Sequence, residues 1–197
     1  MIIAGIDKFS LNEYPGKPCA VIFTQGCNYR CPFCYNNELV IPEKFGTPVP
    51  ESEVIELLKS RWPRLDAVAI TGGEPLIQED LIDFLLKIKQ LNYYIKLNTN
   101  GSDSTKLEQI ISQKLVDYIQ MDIKGPWHKY NVLSGINHKN LSNIKQSINL
   151  VESSSIEHEF RTTYYKFCMD DKDINEIKSY VKNSNHIVND FSKLNNS

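Results

Sequence analysis

The sequence predicts an α/β protein built on a parallel sheet, and three observations carry that expectation. Short apolar runs of strand length alternate about six times with segments of helical period, the rhythm of βα units. The connections between them are short, which favours right-handed crossovers between neighbouring parallel strands. The chemically unusual residues also fall together where each strand ends, the edge at which such sheets bind ligands.

Each element has a local cause. Met1 to Lys8 leads into a Pro15-Gly16 turn, and residues 1–18 read as an N-terminal extension. Cys19 to Thr24 is the first strong strand, and a cysteine loop follows it. Pro42, Pro48 and Pro50 space the way to a helix over Glu51 to Arg61, with Val54, Leu57 and Leu58 at helical spacing and Pro63 as its stop. Ala67 to Ile70 is a buried-type strand that runs into Thr71-Gly72-Gly73-Glu74-Pro75. Glu79 to Gln90 reads as a helix apolar nearly all round and well covered. Tyr94 to Leu97 is a third strand, closed by Asn98-Thr99-Asn100-Gly101, and Ser104 to Lys114 is a helix. Tyr118 to Met121 is a fourth strand, continued by Asp122-Ile123-Lys124-Gly125-Pro126. A loop with Trp127, His128 and Tyr130 precedes a helix bearing Leu141, Ile144, Ile148 and Val151. Glu157 to Thr163 is a fifth strand, Asp173 to Lys182 a fifth helix, and His186 to Phe191 a weaker sixth strand. Residues 192–197 are polar and expected to fray.

Bulk properties narrow the class. At 197 residues the chain suits one domain, residues 1–197, with a substantial core. A net charge of −2 and a pI near 6.1 advertise neither a nucleic-acid nor a membrane surface, so neither partner is expected. The N-terminus lacks the layout of a secretory signal, and no apolar run approaches the roughly 18 residues of a membrane span. Five cysteines, three of them clustered, do not suit a disulfide framework, and a reducing cytoplasm is the expected compartment.

Those three are Cys27, Cys31 and Cys34, spaced C-x3-C-x2-C at a strand end. Thiolates so crowded suit a soft metal centre. Three ligands rather than four leave a coordination position for something else, whether the centre is zinc or a cubane iron–sulfur cluster. A zinc knot completed by Cys19 or a nearby histidine is the structural alternative. Cys19 would have to swing out of its strand, however, and no second C-x2-C follows. His128, His138, His158 and His186 show no metal spacing, and Cys168 reads as a small buried residue or inert thiol.

Cys27-x3-Cys31-x-Phe33-Cys34 followed some forty residues on by Gly72-Gly73-Glu74-Pro75 resembles the radical S-adenosylmethionine (AdoMet) superfamily. Within it the chain is most similar to activases of glycyl-radical enzymes: the activators of anaerobic ribonucleoside-triphosphate reductase and of pyruvate formate-lyase. The likeness runs from about Gly5 to Arg161 and more faintly to Phe191, and Cys34-Tyr35-Asn36 leans towards the reductase activators.

The resemblance implies an open, partial (β/α)6 TIM-like barrel of parallel strands. It also implies one [4Fe–4S] cluster held by Cys27, Cys31 and Cys34, with AdoMet on the fourth iron. Reduction would then cleave AdoMet to methionine and a 5′-deoxyadenosyl radical. Phe33 and Tyr35 would lie along the adenine. The Gly72 and Gly73 backbone would grip the AdoMet amino group, with Glu74 holding the loop and glycine allowing close approach to the ligand. Asn98, Thr99, Asp122, Lys124 and Arg161 would reach the ribose and carboxylate. The implied partners are a glycyl-radical enzyme as protein substrate and flavodoxin or ferredoxin as electron donor. Family members often continue past the sixth strand, so the substrate-side wall is expected to be thin or supplied by a partner. The eight-cysteine insert of some activases is missing, so a single cluster is expected.

Overall fold

The structure, a computed structural model, describes residues 1–135, 137, 141–181 and 184–191. Its frame is a seven-stranded sheet in the order β1(Ile3–Ser10), β2(Cys19–Thr24), β3(Ala67–Gly72), β4(Tyr94–Thr99), β5(Tyr118–Asp122), β6(Glu157–Tyr164) and β7(Asn185–Asp190). From β2 to β7 every neighbouring pair is parallel. Strands that step one place at a time in one direction, each returned by a same-handed crossover, keep their helices on one face and curl the sheet towards a barrel. The predicted α/β class and its six parallel strands are therefore present.

The helices are α1(Asn37–Val40), α2(Glu51–Arg61), α3(Leu81–Gln90), α4(Ser104–Ser112), α5(Tyr130–Ser134), α6(Ser142–Ser153) and α7(Asp171–Lys178). Their buried residues, among them Val54, Leu58, Phe84, Leu107, Ile148 and Ile177, share one core with alternate strand residues. Those are Ala20 and Ile22, Val68 and Ile70, Ile95 and Leu97, Ile119 and Met121, and Phe160. The intervening residues Cys19, Val21, Ala67, Ala69 and Tyr118 gather with Tyr14 in a second cluster on the opposite, barrel-axis side. A pleated strand sends successive side chains to opposite faces, so the two lists are the two faces of one sheet.

Several expectations need correction. The N-terminal extension is not a mere lead-in: Ile3–Ser10 forms an edge strand antiparallel to β2, with Ile3 opposite Thr24 and Asp7 opposite Val21. Register shifts between Ile3 and Gly5 and between Asp7 and Ser10 break the alternation that marks a strand in sequence. Helix α3 is one-sided rather than covered all round, since Leu86 is 40% exposed. Helix α7 starts two residues earlier than predicted because Asp170 and Asp173 close a capping box; Lys182, its expected end, lies outside the described residues, as do His138 and the tail 192–197. The short helices α1 and α5 were not foreseen. Strands β3, β4 and β5 run on past their predicted ends through Thr71-Gly72, Asn98-Thr99 and Asp122, while Gly73, Glu74, Asn100 and Lys124 follow in the connections.

No helix among the described residues is long and apolar enough to cross a membrane.

Candidate cofactor site

A cavity of about 420 Å³ opens at the carboxyl ends of the parallel strands. All thirteen residues singled out in the sequence line it: Cys27, Cys31, Cys34, Phe33, Tyr35, Gly72, Gly73, Glu74, Asn98, Thr99, Asp122, Lys124 and Arg161. They come from the cysteine loop after β2, the ends of β3, β4 and β5, and the middle of β6, so only the folded sheet could have brought them together.

The cysteine loop is pinned to its neighbours by backbone. The Glu74 amide donates to the Gly26 carbonyl at 2.8 Å and the Gly73 amide to the Thr24 carbonyl at 2.9 Å. A Cβ on Gly73 would lie 1.8 Å from the Gly26 carbonyl oxygen, and one on Gly72 would lie 2.4 Å from the Thr24 nitrogen. The sequence reading gave these glycines to ligand approach; the structure shows that β2 and the cysteine loop themselves occupy the space a side chain would need. On another side the Asn100 amide group donates to Asn28 Oδ1 at 3.0 Å, and the Asn28 amide group donates to Ser102 Oγ at 2.8 Å.

Glu74 is 1% exposed and joins three segments. Its carboxylate accepts from the Leu76 amide at 3.0 Å, the Thr99 hydroxyl at 2.6 Å and the Asn100 amide at 2.7 Å. Burial pushes its pKa up to about 7, even though those three donors pull it down. Lys124 donates to Asp122 Oδ2 at 2.8 Å. Burial alone would lower the Lys124 pKa, but Asp122, with Cys31 and Tyr130 beside it, outweighs burial and the ammonium is held above its ordinary value. Burial also raises the Cys27 thiol to about 12, and raises Cys31. Metal loading there must displace protons.

The aromatic residues divide. Phe33 is buried in the main core with its ring centroid 5.5 Å from that of Tyr165, so it packs beneath the loop as well as lining the cavity. Tyr35 is 46% exposed, and its hydroxyl donates to the Phe191 carbonyl at 3.1 Å, which ties the cysteine loop to the end of β7. Arg161 donates to Gln120 Oε1 at 2.8 Å.

Gln120, Asn100 and Asn36 also line the cavity and were missed as site residues. The available signal was a polar residue at an alternate position of an apolar strand, Gln120 within Tyr118-Ile119-Gln120-Met121. Below the cavity the barrel axis is closed by Tyr14, Tyr118, Lys96 and Glu159. Lys96 Nζ lies 3.9 Å from Glu159 Oε1, and the Tyr118 hydroxyl donates to Glu159 at 3.1 Å. Cys19 is fully buried at this floor, on the barrel-axis face but at the opposite end of β2 from the cysteine loop.

The pocket suits a polar, charged ligand over a thiol-bound centre. Asn98 Oδ1 is buried without a hydrogen-bond partner among the described residues, and it belongs to a residue that lines the cavity. A buried acceptor in that state needs a donor from a ligand or water. Among the described residues no three His, Cys, Asp or Glu side chains converge as a single ion would require; a cubane cluster instead offers a separate iron to each thiolate.

A curled sheet of six parallel strands with cysteines and polar strand ends around one cavity defines a barrel-type cofactor-binding protein. Residues 21–181 match the radical SAM superfamily, and the chain belongs to it. Membership implies an iron–sulfur cluster and AdoMet as cofactors. A Methanocaldococcus jannaschii protein provisionally named a glycyl-radical enzyme activating enzyme is 35% identical over 188 residues, covering 92% of this chain and 75% of that protein. A 7-carboxy-7-deazaguanine synthase of Thermoplasma acidophilum is 30% identical over 116 residues, covering 57% of this chain and 50% of that one. The fold is shared with Streptococcus suis SuiB bound to its precursor peptide SuiA (TM-score 0.69, 17% identity, 88% of this chain and 39% of SuiB). It is shared too with anSMEcpe with bound AdoMet (TM-score 0.64, 18% identity, 84% of this chain and 49% of that one). The chain thus spans less than half the length of these solved structures.

Proposed function

We propose that this chain is a radical AdoMet activase that installs a glycyl radical on a partner enzyme, with anaerobic ribonucleoside-triphosphate reductase as the first candidate. Support comes from the one cavity shared by three thiols and the charged strand ends, joined to the 35% identity with a relative named for that activity.

In this reading Cys27, Cys31 and Cys34 hold three irons of a [4Fe–4S] cluster and leave the fourth for the amino and carboxylate groups of AdoMet. When bound and reduced, the cofactors would supply reductive cleavage of AdoMet and hydrogen-atom abstraction from the substrate. The protein's share is binding and orientation. Lys124, kept charged by Asp122, faces the AdoMet carboxylate, with Arg161 as a second cation for it or for the ribose. Asn98 Oδ1 accepts from the ammonium or a ribose hydroxyl. Phe33 and Tyr35 border the adenine. Glu74 acts through other groups: it clamps the ends of β3 and β4 against the cysteine loop and is a positioning residue. Gly72 and Gly73 present backbone carbonyls at the same edge. A flavodoxin or ferredoxin donates the electron, since iron–sulfur clusters can sit several hundred millivolts below zero and need a low-potential donor.

The test is anaerobic reconstitution, reduction with dithionite, and incubation with AdoMet and glycyl-radical enzymes from the same genome, followed by electron paramagnetic resonance. A glycyl doublet on the partner, dependent on AdoMet, is expected. AdoMet cleavage without a doublet on any partner would move the reading to a small substrate, the direction in which the 7-carboxy-7-deazaguanine synthase relatives point. An iron-loaded protein that leaves AdoMet intact would sink both.

A further inference from the structure

We infer that the turn closing α5, Ser134-Gly135, is a seat for the cysteine loop, and that Gly135 is a positioning residue that sets the place of Cys31. This inference rests on the reading of the three cysteines as cluster ligands. The Arg30 amide donates to the Ser134 carbonyl at 2.7 Å, and Cys31 Sγ lies 3.8 Å from the same oxygen across 103 residues of sequence. Gly135 sits at φ +70°, and a Cβ there would lie 1.7 Å from the Arg30 carbonyl oxygen and 2.3 Å from its carbon. The obstructing atoms are all backbone, so no side chain can swing aside; either the turn or the cysteine loop has to move.

The turn is also anchored by contacts outside the loop it supports. Leu133 of α5 is fully buried, and Gly125 is so close to Leu133 that a Cβ would meet its Cδ1 at 2.1 Å. Trp127, just before α5, stacks on Tyr180 with centroids 4.2 Å apart, and the Lys129 ammonium holds Asp173 of α7 at 2.7 Å. The barrel wall after β5 therefore fixes the turn, and the turn fixes one edge of the thiol set.

Two substitutions separate this role from ordinary turn chemistry. Asn tolerates the left-handed backbone far better than Ala, yet both carry a Cβ. Metal-free wild type, G135A and G135N are treated with iodoacetamide and mapped by mass spectrometry, then reconstituted anaerobically with ferrous iron and sulfide. Both variants should alkylate Cys31 severalfold faster relative to Cys27 and Cys34, leave buried Cys19 protected, and retain at most about half the wild-type iron, with G135N no better than G135A. Wild-type loading and wild-type Cys31 protection in G135N would reduce Gly135 to a turn residue and overturn the proposal. If both variants precipitate, hydrogen exchange on the wild type decides. Cluster loading should slow exchange in residues 130–135 together with 26–34, with α4 as the unaffected control, and protection confined to 26–34 would overturn it. A wild type that assembles no iron–sulfur cluster while the variants still unmask Cys31 would defeat the cofactor reading and leave the seat standing.

Discussion

On their helix-facing side, β3, β4 and β5 present Val68, Ile70, Ile95, Leu97, Ile119 and Met121, all fully buried in one apolar core. Towards the barrel axis the same strands present Thr71, Lys96, Asn98, Gln120 and Asp122, most of them lining the cavity or its floor. The contrast separates stability from function within single strands. Apolar side chains need only be covered. A buried polar side chain needs a partner, and where none of the described residues supplies one, as at Asn98 Oδ1, the donor has to come from a ligand or water.

Substitutions on the two faces should therefore fail differently. The largest effect is expected at the thiols: Cys27→Ser, Cys31→Ser or Cys34→Ser should each abolish AdoMet cleavage to background while the far-ultraviolet circular dichroism of the metal-free protein stays as in wild type. Unfolding of the metal-free variants instead would place the cysteines with the core. Next is the opposite face, where Ile70→Ala should cost about 2–5 kcal/mol in urea unfolding. Its folded fraction should bind AdoMet with wild-type affinity. Removing Lys124 as Lys124→Met strands Asp122 and removes the cation proposed for AdoMet; AdoMet affinity of the loaded protein should drop by roughly 10–100-fold, about 1.4–3 kcal/mol. Calorimetry would read it, and unchanged affinity would remove Lys124 from the site.

A pH series sharpens the comparison at Glu74. Its folded pKa, about 7, stands above that of an unfolded glutamate, so the folded state binds the extra proton. The resulting stability is full below about pH 4.3 and is lost as pH rises through 7, on the order of 3 kcal/mol in all. The unfolding free energy of wild type minus that of Glu74→Gln should fall across this window and flatten above it; a flat difference would show Glu74 to titrate normally. At the small end, exposed Lys59, which pairs with Glu56 at 2.7 Å, can become Ala with no measurable change in the urea midpoint.

The parallel strands and most helices were legible because each has a strong local period and a clear stop, as with Glu51–Arg61 before Pro63. Strand β1 was not legible, because its register shifts scatter the one strongly buried residue, Ile3, among Gly5, Asp7 and Lys8. The thirteen lining residues were legible through motif and placement. Their supports, Asn100 against Asn28 and Gly135 against Arg30, were not, because each depends on atoms brought from more than seventy residues away.

Local chemistry thus determined the βα rhythm, the three-thiol loop and the polar strand ends, since these follow from neighbouring residues and their spacing. Only the folded sheet decided which atoms meet. Gly72 and Gly73 became a clasp on the cysteine loop, Glu74 a buried link between strand ends, and Ser134-Gly135 a seat under Cys31. Such contacts, steric or hydrogen-bonded, are long-range, and no short window of sequence contains both partners.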